Sequence, residues 1–287
     1  MNVLEPPRSA APASDGAFAA WLADRAGRLL LQVRATHGHH DPTALKRAGD
    51  HASHQLLRVE LARHRSADAV LSEEDDDARQ AWATGTASPP PERLDADRVW
   101  IVDPLDGTRE FSEPGRTDWA VHVALWQRNA PTEHRLVAGA IALPAQLRTL
   151  DTETPPTRPP TVGGRTIRLA ASRSRPPAFL TGLADEVGAE LVPMGSAGAK
   201  IAAVITGEVD AYVHAGGQYE WDSAAPVAVA TATGLHASRI DGSALSYNEA
   251  DPRLPDLVVC RPELAAPLLA ALRQHLTPVP APATAAG

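Results

Sequence analysis

A short apolar run that ends in two closely spaced aspartates restricts the fold of this chain more than any other segment. Residues 99–102 have the pattern of a buried β-strand. Asp103-Pro104 follows directly, and because proline cannot donate a hydrogen bond to a neighbouring strand, we expect the strand to end there. Gly107 then permits a tight turn, and Thr108 is expected to open a helix. The segment therefore predicts strand, turn and helix, with Asp103 and Asp106 at the turn.

These two aspartates have the chemistry of a divalent-cation site. Hard cations such as Mg²⁺ prefer oxygen ligands and take few of them from the protein, which leaves positions for water and phosphate. Asp103 and Asp106, three residues apart around a turn, can reach the same cations, and a carbonyl between them is a natural additional ligand. The amides of Gly107 and Thr108 would face the anion that those cations hold. The alternative is a turn with two capping aspartates, and we favour the cation–phosphate site.

Two further acidic segments can supply ligands to the same site. Glu73 follows the short apolar run 69–71, although the acidic run 73–77 taken alone is more typical of a solvated loop. Asp222 lies in the sequence EWDSAAP, where Pro226 predicts the first turn of a helix and Asp222 alone would be interpreted as its N-cap. Four candidate carboxylates result: Glu73, Asp103, Asp106 and Asp222.

The remaining chain alternates predicted helices and strands, which indicates α/β layering. Helices are predicted from about Asp15 and over 50–64, 176–187, 197–205, 223–233 and 262–275. Further strands are predicted at 119–126, 135–143, 167–171, 208–213 and 257–260, and a surface loop at 84–94. We divide the chain into a mobile tail (1–15), an N-terminal α+β subdomain with the main metal motifs (16–151), a linker (152–164), a C-terminal α/β subdomain (165–277) and a second mobile tail (278–287).

Charge and cysteine content exclude several classes of protein. The 27 basic and 35 acidic residues give a net charge of −8, which argues against a nucleic-acid polymer as partner. A single cysteine, Cys260, excludes an intramolecular disulfide and fits a reducing compartment. No stretch approaches the roughly 18 apolar residues of a membrane span, and residues 1–16 lack the pattern of a secretory signal. We expect a cytoplasmic protein without a membrane partner.

The sequences SEE, WIVDPLDGTREF and EWDSAAP, with a later LSYN, resemble the signature segments of the inositol monophosphatase superfamily. The resemblance covers about residues 16–275 and is strongest to the CysQ-type branch, the 3′-phosphoadenosine 5′-phosphate (PAP) phosphatases of bacterial sulfate assimilation. It implies a five-layered αβαβα sandwich, two or three Mg²⁺ ions, lithium sensitivity and hydrolysis of a small phosphomonoester. The implied reaction converts PAP to AMP and phosphate. The oligomeric state is left open, with a homodimer as the form to test.

The resemblance also implies which residues hold the metal ions. Glu73 and Asp103, with the carbonyl of Leu105, match the ligands of a first Mg²⁺. Asp103, Asp106 and Asp222 match the ligands of a second Mg²⁺. Where the family holds a third ion, that ion lies near Glu73 and near waters held by the residue that matches Asp50.

Catalytic and substrate-binding roles follow from the same resemblance. Asp50 and Thr108, with Glu73, match residues that orient and deprotonate the attacking water. Asp50 also fits an N-cap for the helix that follows it, and Gly49 stands where the family usually has threonine or alanine. The amides of Gly107 and Thr108 are expected to hold the phosphoryl oxygens, and Gly195-Ser196 resembles the glycine-containing turn beside phosphate and sugar.

The metal motif does not choose among the substrates of this superfamily. Inositol monophosphates and fructose 1,6-bisphosphate are alternatives to PAP, and a catalytically silent phosphometabolite sensor on the same fold is an alternative of a different class. The complete set of candidate ligands favours an enzyme over a sensor. Candidates for gripping the second phosphate of PAP are Arg173, Arg175 and the segment 214–219.

Overall fold

Two five-stranded sheets form the framework of the computed structural model, which describes residues 10–75, 92–174 and 176–276. The first sheet has its strands side by side in chain order, with β1 parallel to β2 and the other neighbours antiparallel. These strands are β1 (Ala69–Ser72), β2 (Arg98–Asp106), β3 (Ala120–Gln127), β4 (Leu136–Leu143) and β5 (Arg148–Asp151).

The second sheet follows in the chain and is of mixed direction. Its strands are β6 (Ile167–Ser172), β7 (Ala189–Met194), β8 (Ala211–Ala215), β9 (His236–Ser238) and β10 (Asp256–Cys260). They are arranged in the order β7-β6-β8-β10-β9. β6 is parallel to both of its neighbours, whereas β10 is antiparallel to β8 and β9.

Seven α-helices within the described residues cover both sheets: α1 (Asp15–His37), α2 (Pro42–His64), α3 (Thr108–Ser112), α4 (Leu180–Val187), α5 (Ala197–Thr206), α6 (Glu220–Ala232) and α7 (Pro262–Leu276). None of these helices combines the length and apolar character that a membrane span requires.

The helices and sheets form five layers, which are packed together through three apolar clusters. The outer cluster packs α1 and α2 on one face of the first sheet, with Phe18 and Trp100 at its centre. The middle cluster places α5 and α6 between the two sheets, and it includes Ile101 and Trp221. The third cluster packs α4 and α7 on the far face of the second sheet. This αβαβα arrangement confirms the fold class predicted from the sequence.

Several helix boundaries differ from the sequence prediction because caps act outside the apolar pattern. Ser14, not Asp15, caps α1 and accepts the amide of Ala17. α2 begins at Pro42, eight residues before the predicted start, because the Asp41 carboxylate accepts two amides of its first turn. Asp50 therefore lies inside α2, and its interpretation as an N-cap was wrong.

The strands differ in a similar way. β2 continues through Pro104 to Asp106 and does not stop at Asp103. β8 begins at Ala211, later than predicted, and the short strands β1, β5, β7 and β9 were not predicted. Most of the predicted loop 84–94 lies outside the described residues, and residues 92–94 form a 3₁₀ turn. Residues 1–9 of the predicted tail 1–15 and all of the predicted tail 278–287 also lie outside the described residues. The predicted linker 152–164 connects the two sheets without a strand or helix.

Candidate active site

An irregularity in β2 brings Asp103 and Asp106 to the same face of the first sheet. Val99 and Ile101 face the middle apolar cluster, so Asp103 continues that series toward α6. In a regular strand a residue three positions later would face the opposite side. The register against β3 shifts between Asp103 and Asp106, and this bulge contains Pro104. The bulge therefore turns the second carboxylate back toward the first.

Three of the four predicted carboxylates meet at this place. Asp103, Asp106 and Asp222 each offer one oxygen, and these oxygens all lie within 4.8 Å of one another. Asp103 and Asp106 are buried, and Asp222 is partly exposed. Three anionic groups at this spacing repel one another unless cations or protons are bound, and oxygen donors of this kind suit Mg²⁺. The donor set thus fits the cation that the sequence predicted.

Asp106 is held by the start of a helix that belongs to the second sheet's half of the molecule. Its Oδ2 accepts the amide of Gly198 at 2.6 Å, and its Oδ1 accepts the amide of Ala197 at 3.3 Å. Both amides lie in the first turn of α5, where backbone N–H groups have no partner within the helix. Asp106 consequently occupies a fixed orientation only when β2 and α5 are packed together.

Asp222 lies in the first turn of α6 and is not its N-cap, which is the interpretation that this residue alone would receive from the sequence. The helix begins at Glu220, and the Asp222 side chain accepts the amide of Tyr219 at 2.7 Å in a capping box. Tyr219 stacks on Trp221 with ring centroids 4.7 Å apart. Pro226 lies inside the helix and not in its first turn, so the carbonyl of Asp222 lacks its usual helical N–H partner.

Glu73 lies beside Asp103 because β1 and β2 are parallel. Ser72 pairs with Val102, so the next residues along the two strands are Glu73 and Asp103. Burial, followed by the charges of Asp222, Glu74, Asp50 and Asp106, raises the pKa of Glu73 to about 8. Asp50, on α2, is thus one of the charges that contribute to this shift in the pKa of Glu73.

The pKa values of Asp222 and Asp103 are raised as well. Burial, and then the charge of Asp106, raises the pKa of Asp222 to about 7. Burial and the charge of Glu73 raise the pKa of Asp103 well above its ordinary value, although Asp103 Oδ1 accepts the amide of Leu105 at 2.9 Å. The cluster therefore binds protons readily, and a divalent cation would relieve the same repulsion.

The predicted phosphate-binding segments meet next to the carboxylates. Gly107 has φ +85°, and a Cβ at this position would lie 2.8 Å from the Cβ of Ser196. Thr108 follows as the first residue of α3. Ser196 is the N-cap of α5, and the amide of Gly195 donates to Asp118 Oδ2 at 2.6 Å. The two segments come from different halves of the chain and adjoin only in the folded protein.

Three residues at the site were not assigned a role there from the sequence. Lys200, one of two lysines in the chain, is buried, and its ammonium group donates to the carbonyl of Gly195. His122 is fully buried beside Asp106, and Asp118 receives the Gly195 amide. Lys200 could have been suspected, since it lies in the GSAGAK segment, whereas the strand position of His122 carried no signal.

The structure does not favour either of the arginines that were suggested from the sequence as partners of a second phosphate. The Arg173 guanidinium contacts Glu110 and Glu113 at 2.8 Å each, so its charge is already balanced. Arg175 lies outside the described residues. In the segment 214–219, burial lowers the pKa of His214 to about 4, so this ring is neutral at pH 7.

Comparison with known proteins agrees with the motifs. The Inositol monophosphatase family matches residues 16–277. A Mycobacterium tuberculosis protein named 3′-phosphoadenosine 5′-phosphate phosphatase is 52% identical over 250 residues, which are 86% of this chain and 89% of that protein. A Mycobacterium leprae protein of the same name is 48% identical over 267 residues, 91% of this chain and 94% of its own. The crystal structure of the extragenic suppressor protein SuhB from Bartonella henselae is 19% identical, has a TM-score of 0.67, and covers 91% of this chain and 100% of its own.

Proposed function

This chain belongs to the inositol monophosphatase family, and we propose that it is a Mg²⁺-dependent phosphatase that converts PAP to AMP and phosphate. The observation that carries the proposal is the cluster of Asp103, Asp106 and Asp222, whose ligand oxygens lie within 4.8 Å of one another. Relatives that are about half identical and carry the name PAP phosphatase support the choice of substrate. The enzyme would act in the cytoplasm within sulfate assimilation.

In this proposal the carboxylates bind two different Mg²⁺ ions. Glu73, Asp103 and the carbonyl of Leu105 would hold one Mg²⁺, and Asp103, Asp106 and Asp222 would hold a second. Bound Mg²⁺ supplies positive charge to the attacking water, the phosphoryl group and the leaving oxygen. Asp103 is shared between the two positions, which is consistent with its place between Glu73 on the neighbouring strand and Asp106 after the bulge.

Side chains of the protein would orient the attacking water and accept its proton. Thr108 and Asp50 would orient the water, and Glu73 would take its proton, because a carboxylate in reach of the water can act as general base. The elevated pKa of Glu73, about 8, comes from burial and from the neighbouring acids. Cation binding would lower that pKa and leave Glu73 ionised at neutral pH.

Backbone amides would hold the phosphoryl oxygens. Gly107 lies against Ser196, so the turn before α3 and the start of α5 form two adjacent walls of the proposed phosphate site. The amides of Gly107 and Thr108 would donate to phosphate on one wall, and Gly195 and Ser196 would contact phosphate or sugar on the other. Donors fixed by the fold stabilise developing charge without reorganising during the reaction.

Substrate preference has to come from the part of the substrate that does not react. PAP, inositol 1-phosphate and fructose 1,6-bisphosphate offer the same phosphate to the carboxylate site, so their kcat/KM values differ through remote contacts. The 5′-phosphate and adenine of PAP supply such contacts. Losing one charge-assisted contact costs about 1.5–3 kcal/mol, or roughly one to two decades in kcat/KM.

The test is phosphate release from a substrate panel at one Mg²⁺ concentration. We expect the highest kcat/KM for PAP, with 3′-AMP lower by roughly tenfold or more. The panel includes 2′-AMP, inositol 1-phosphate and fructose 1,6-bisphosphate. Equal rates for 3′-AMP and PAP would refute recognition of the 5′-phosphate but leave the phosphatase chemistry intact. Absence of Mg²⁺-dependent phosphate release from every substrate would refute the proposal as a whole. Sedimentation of the same sample distinguishes monomer from homodimer.

A further inference from the structure

His122 is a buried side chain of the first sheet that lies next to Asp106, one of the proposed metal ligands. It lies on β3 directly opposite Asp103 and is 0% exposed. Its neighbours Ala120 and Ala124 on the same strand face belong to the middle apolar cluster, so the imidazole points toward α5 and α6. A polar ring at this position is unusual in an otherwise apolar strand face, because burial of a polar group is unfavourable unless it is compensated.

Each ring nitrogen of His122 faces an oxygen from a different element. Nδ1 lies 3.0 Å from the carbonyl oxygen of Trp221, the residue before Asp222. Since a carbonyl only accepts, Nδ1 carries the hydrogen and donates it. Nε2 lies 3.3 Å from Asp106 Oδ2. The ring is thus hydrogen-bonded to the first turn of α6, and its Nε2 edge packs against the carboxylate at the end of β2 without a hydrogen bond.

The ring also packs against the helix that holds Asp106. A Cβ added to Gly198 would lie only 1.9 Å from His122 Nε2, so the first turn of α5 touches the imidazole edge directly. The amide of this same Gly198 donates to Asp106 Oδ2 at 2.6 Å. Asp106 is therefore enclosed between the α5 amides on one side and the imidazole edge on the other.

From this geometry we propose that His122 is a positioning residue, which sets the spacing between Asp106 and Asp222 and thereby the cation affinity of the Asp103–Asp106–Asp222 cluster. The inference rests on the proposed function, because it needs that cluster to bind cations. Metal–ligand distances are expected to lie within about 0.2 Å of their preferred values, so the position of each ligand matters. Without the ring, the Asp106 carboxylate could rotate and the start of α6 could move.

Two substitutions test, one at a time, the contact of His122 with Trp221 and its contact with Asp106. His122→Asn keeps an amide N–H near Nδ1 that can donate to Trp221, but it removes the atoms beside Asp106. His122→Gln has the length to reach Asp106 but gives up the Nδ1 position. His134→Asn is a matched control, because His134 is also buried and its Nδ1 lies 3.0 Å from the carbonyl oxygen of Leu245. His134 follows the far end of β3, whereas His122 is near its start.

The experiment titrates the metal-free full-length proteins with Mn²⁺, and the free ion is measured by electron paramagnetic resonance. We expect His122→Asn to weaken Mn²⁺ binding by about tenfold or more and His122→Gln to weaken it less, as for other residues that orient metal ligands. His134→Asn should bind Mn²⁺ as the wild type does. The Mg²⁺ concentration for half-maximal activity should rise in step with the Mn²⁺ dissociation constant.

Several results would overturn the inference. One is that His122→Asn binds Mn²⁺ with the affinity of the wild type; if this variant does not fold, the same result in His122→Gln counts instead. Another is that the control His134→Asn loses as much Mn²⁺ affinity as the His122 variants do. A lower Tm of the metal-free variants with normal Mn²⁺ binding would likewise reduce His122 to a packing role. If the wild-type protein binds no Mn²⁺, the proposed function itself is refuted. If the wild type binds Mn²⁺ and its His122 variants bind it equally tightly, only the role of His122 is refuted.

Discussion

Asp222→Asn is expected to stabilise the metal-free protein at pH 8 while it weakens cation binding. The pKa of Asp222 is raised from 3.8 to about 7, first by burial and then by the charge of Asp106. Between these two pH values the unfolded chain has released the proton and the folded chain retains it. The metal-free protein therefore loses stability as the pH rises through this interval, and the loss is complete above about pH 7.

The magnitude follows from the size of that pKa change. Each pKa unit corresponds to about 1.4 kcal/mol, so ionised Asp222 lowers the free energy of unfolding by about 4 kcal/mol at pH 8. Asparagine keeps an oxygen that can accept the Tyr219 amide, which Asp222 accepts at 2.7 Å, and it carries no charge. We expect somewhat less than the full gain, since the amide is still a buried polar group.

The assay is thermal unfolding in a chelator at pH 5 and pH 8, with and without Mg²⁺. Metal-free Asp222→Asn should have a higher Tm than the wild type at pH 8, and the difference should shrink at pH 5. Mg²⁺ should raise the Tm of the wild type more at pH 8 than at pH 5, because protons and cations compete for the same oxygens. The variant should lose most of this response to Mg²⁺.

Asp210→Asn provides a control of opposite sign. Asp210 is fully buried, but hydrogen bonds from Arg165 and from the amide of Arg168 outweigh burial and lower its pKa. Removing this paired charge should lower the Tm at pH 8. If Asp222→Asn lowers the metal-free Tm as Asp210→Asn does, repulsion in the carboxylate cluster does not govern its stability and the reasoning fails.

Three further outcomes are expected. Asp106→Asn should abolish phosphatase activity and, unlike Asp222→Asn, lower the metal-free Tm, because asparagine offers one acceptor oxygen to the two amides of Ala197 and Gly198; near-normal turnover would contradict the ligand assignment. Gly107→Ala should lower Tm and kcat more than Gly115→Ala, since both positions have positive φ but only a Cβ at Gly107 meets neighbouring atoms within 4 Å; equal effects would show that the close approach is unimportant. Li⁺ at millimolar concentration should inhibit at limiting Mg²⁺, because it has a similar size and half the charge; indifference to about tens of millimolar Li⁺ would argue against a weak second cation site.

The chemistry of the site could be predicted from local sequence because it depends on residue types at short spacing. Asp103 and Asp106 lie in the last part of an apolar strand, and Gly107 and Thr108 follow them in the order that a strand, a left-handed turn and a helix require. The alternation of apolar segments similarly predicted the layered α/β fold, which the structure confirms. Helix starts were predicted less well, because Asp41 and Ser14 act as caps from outside the apolar pattern.

The arrangement of the site was decided only by tertiary structure. Counting residues would place Asp103 and Asp106 on opposite faces of a strand, and the bulge that reunites them shows only in the pairing with β3. Glu73 reaches Asp103 because β1 pairs in parallel with β2, a register that no local pattern encodes. His122 holds Asp106 and the start of α6 in place across elements far apart in the chain. The sequence determined which groups can bind a cation, since that depends on the chemistry of each side chain. Their distances and pKa values depend on burial and on neighbouring charges, which exist only once the two sheets are packed around α5 and α6.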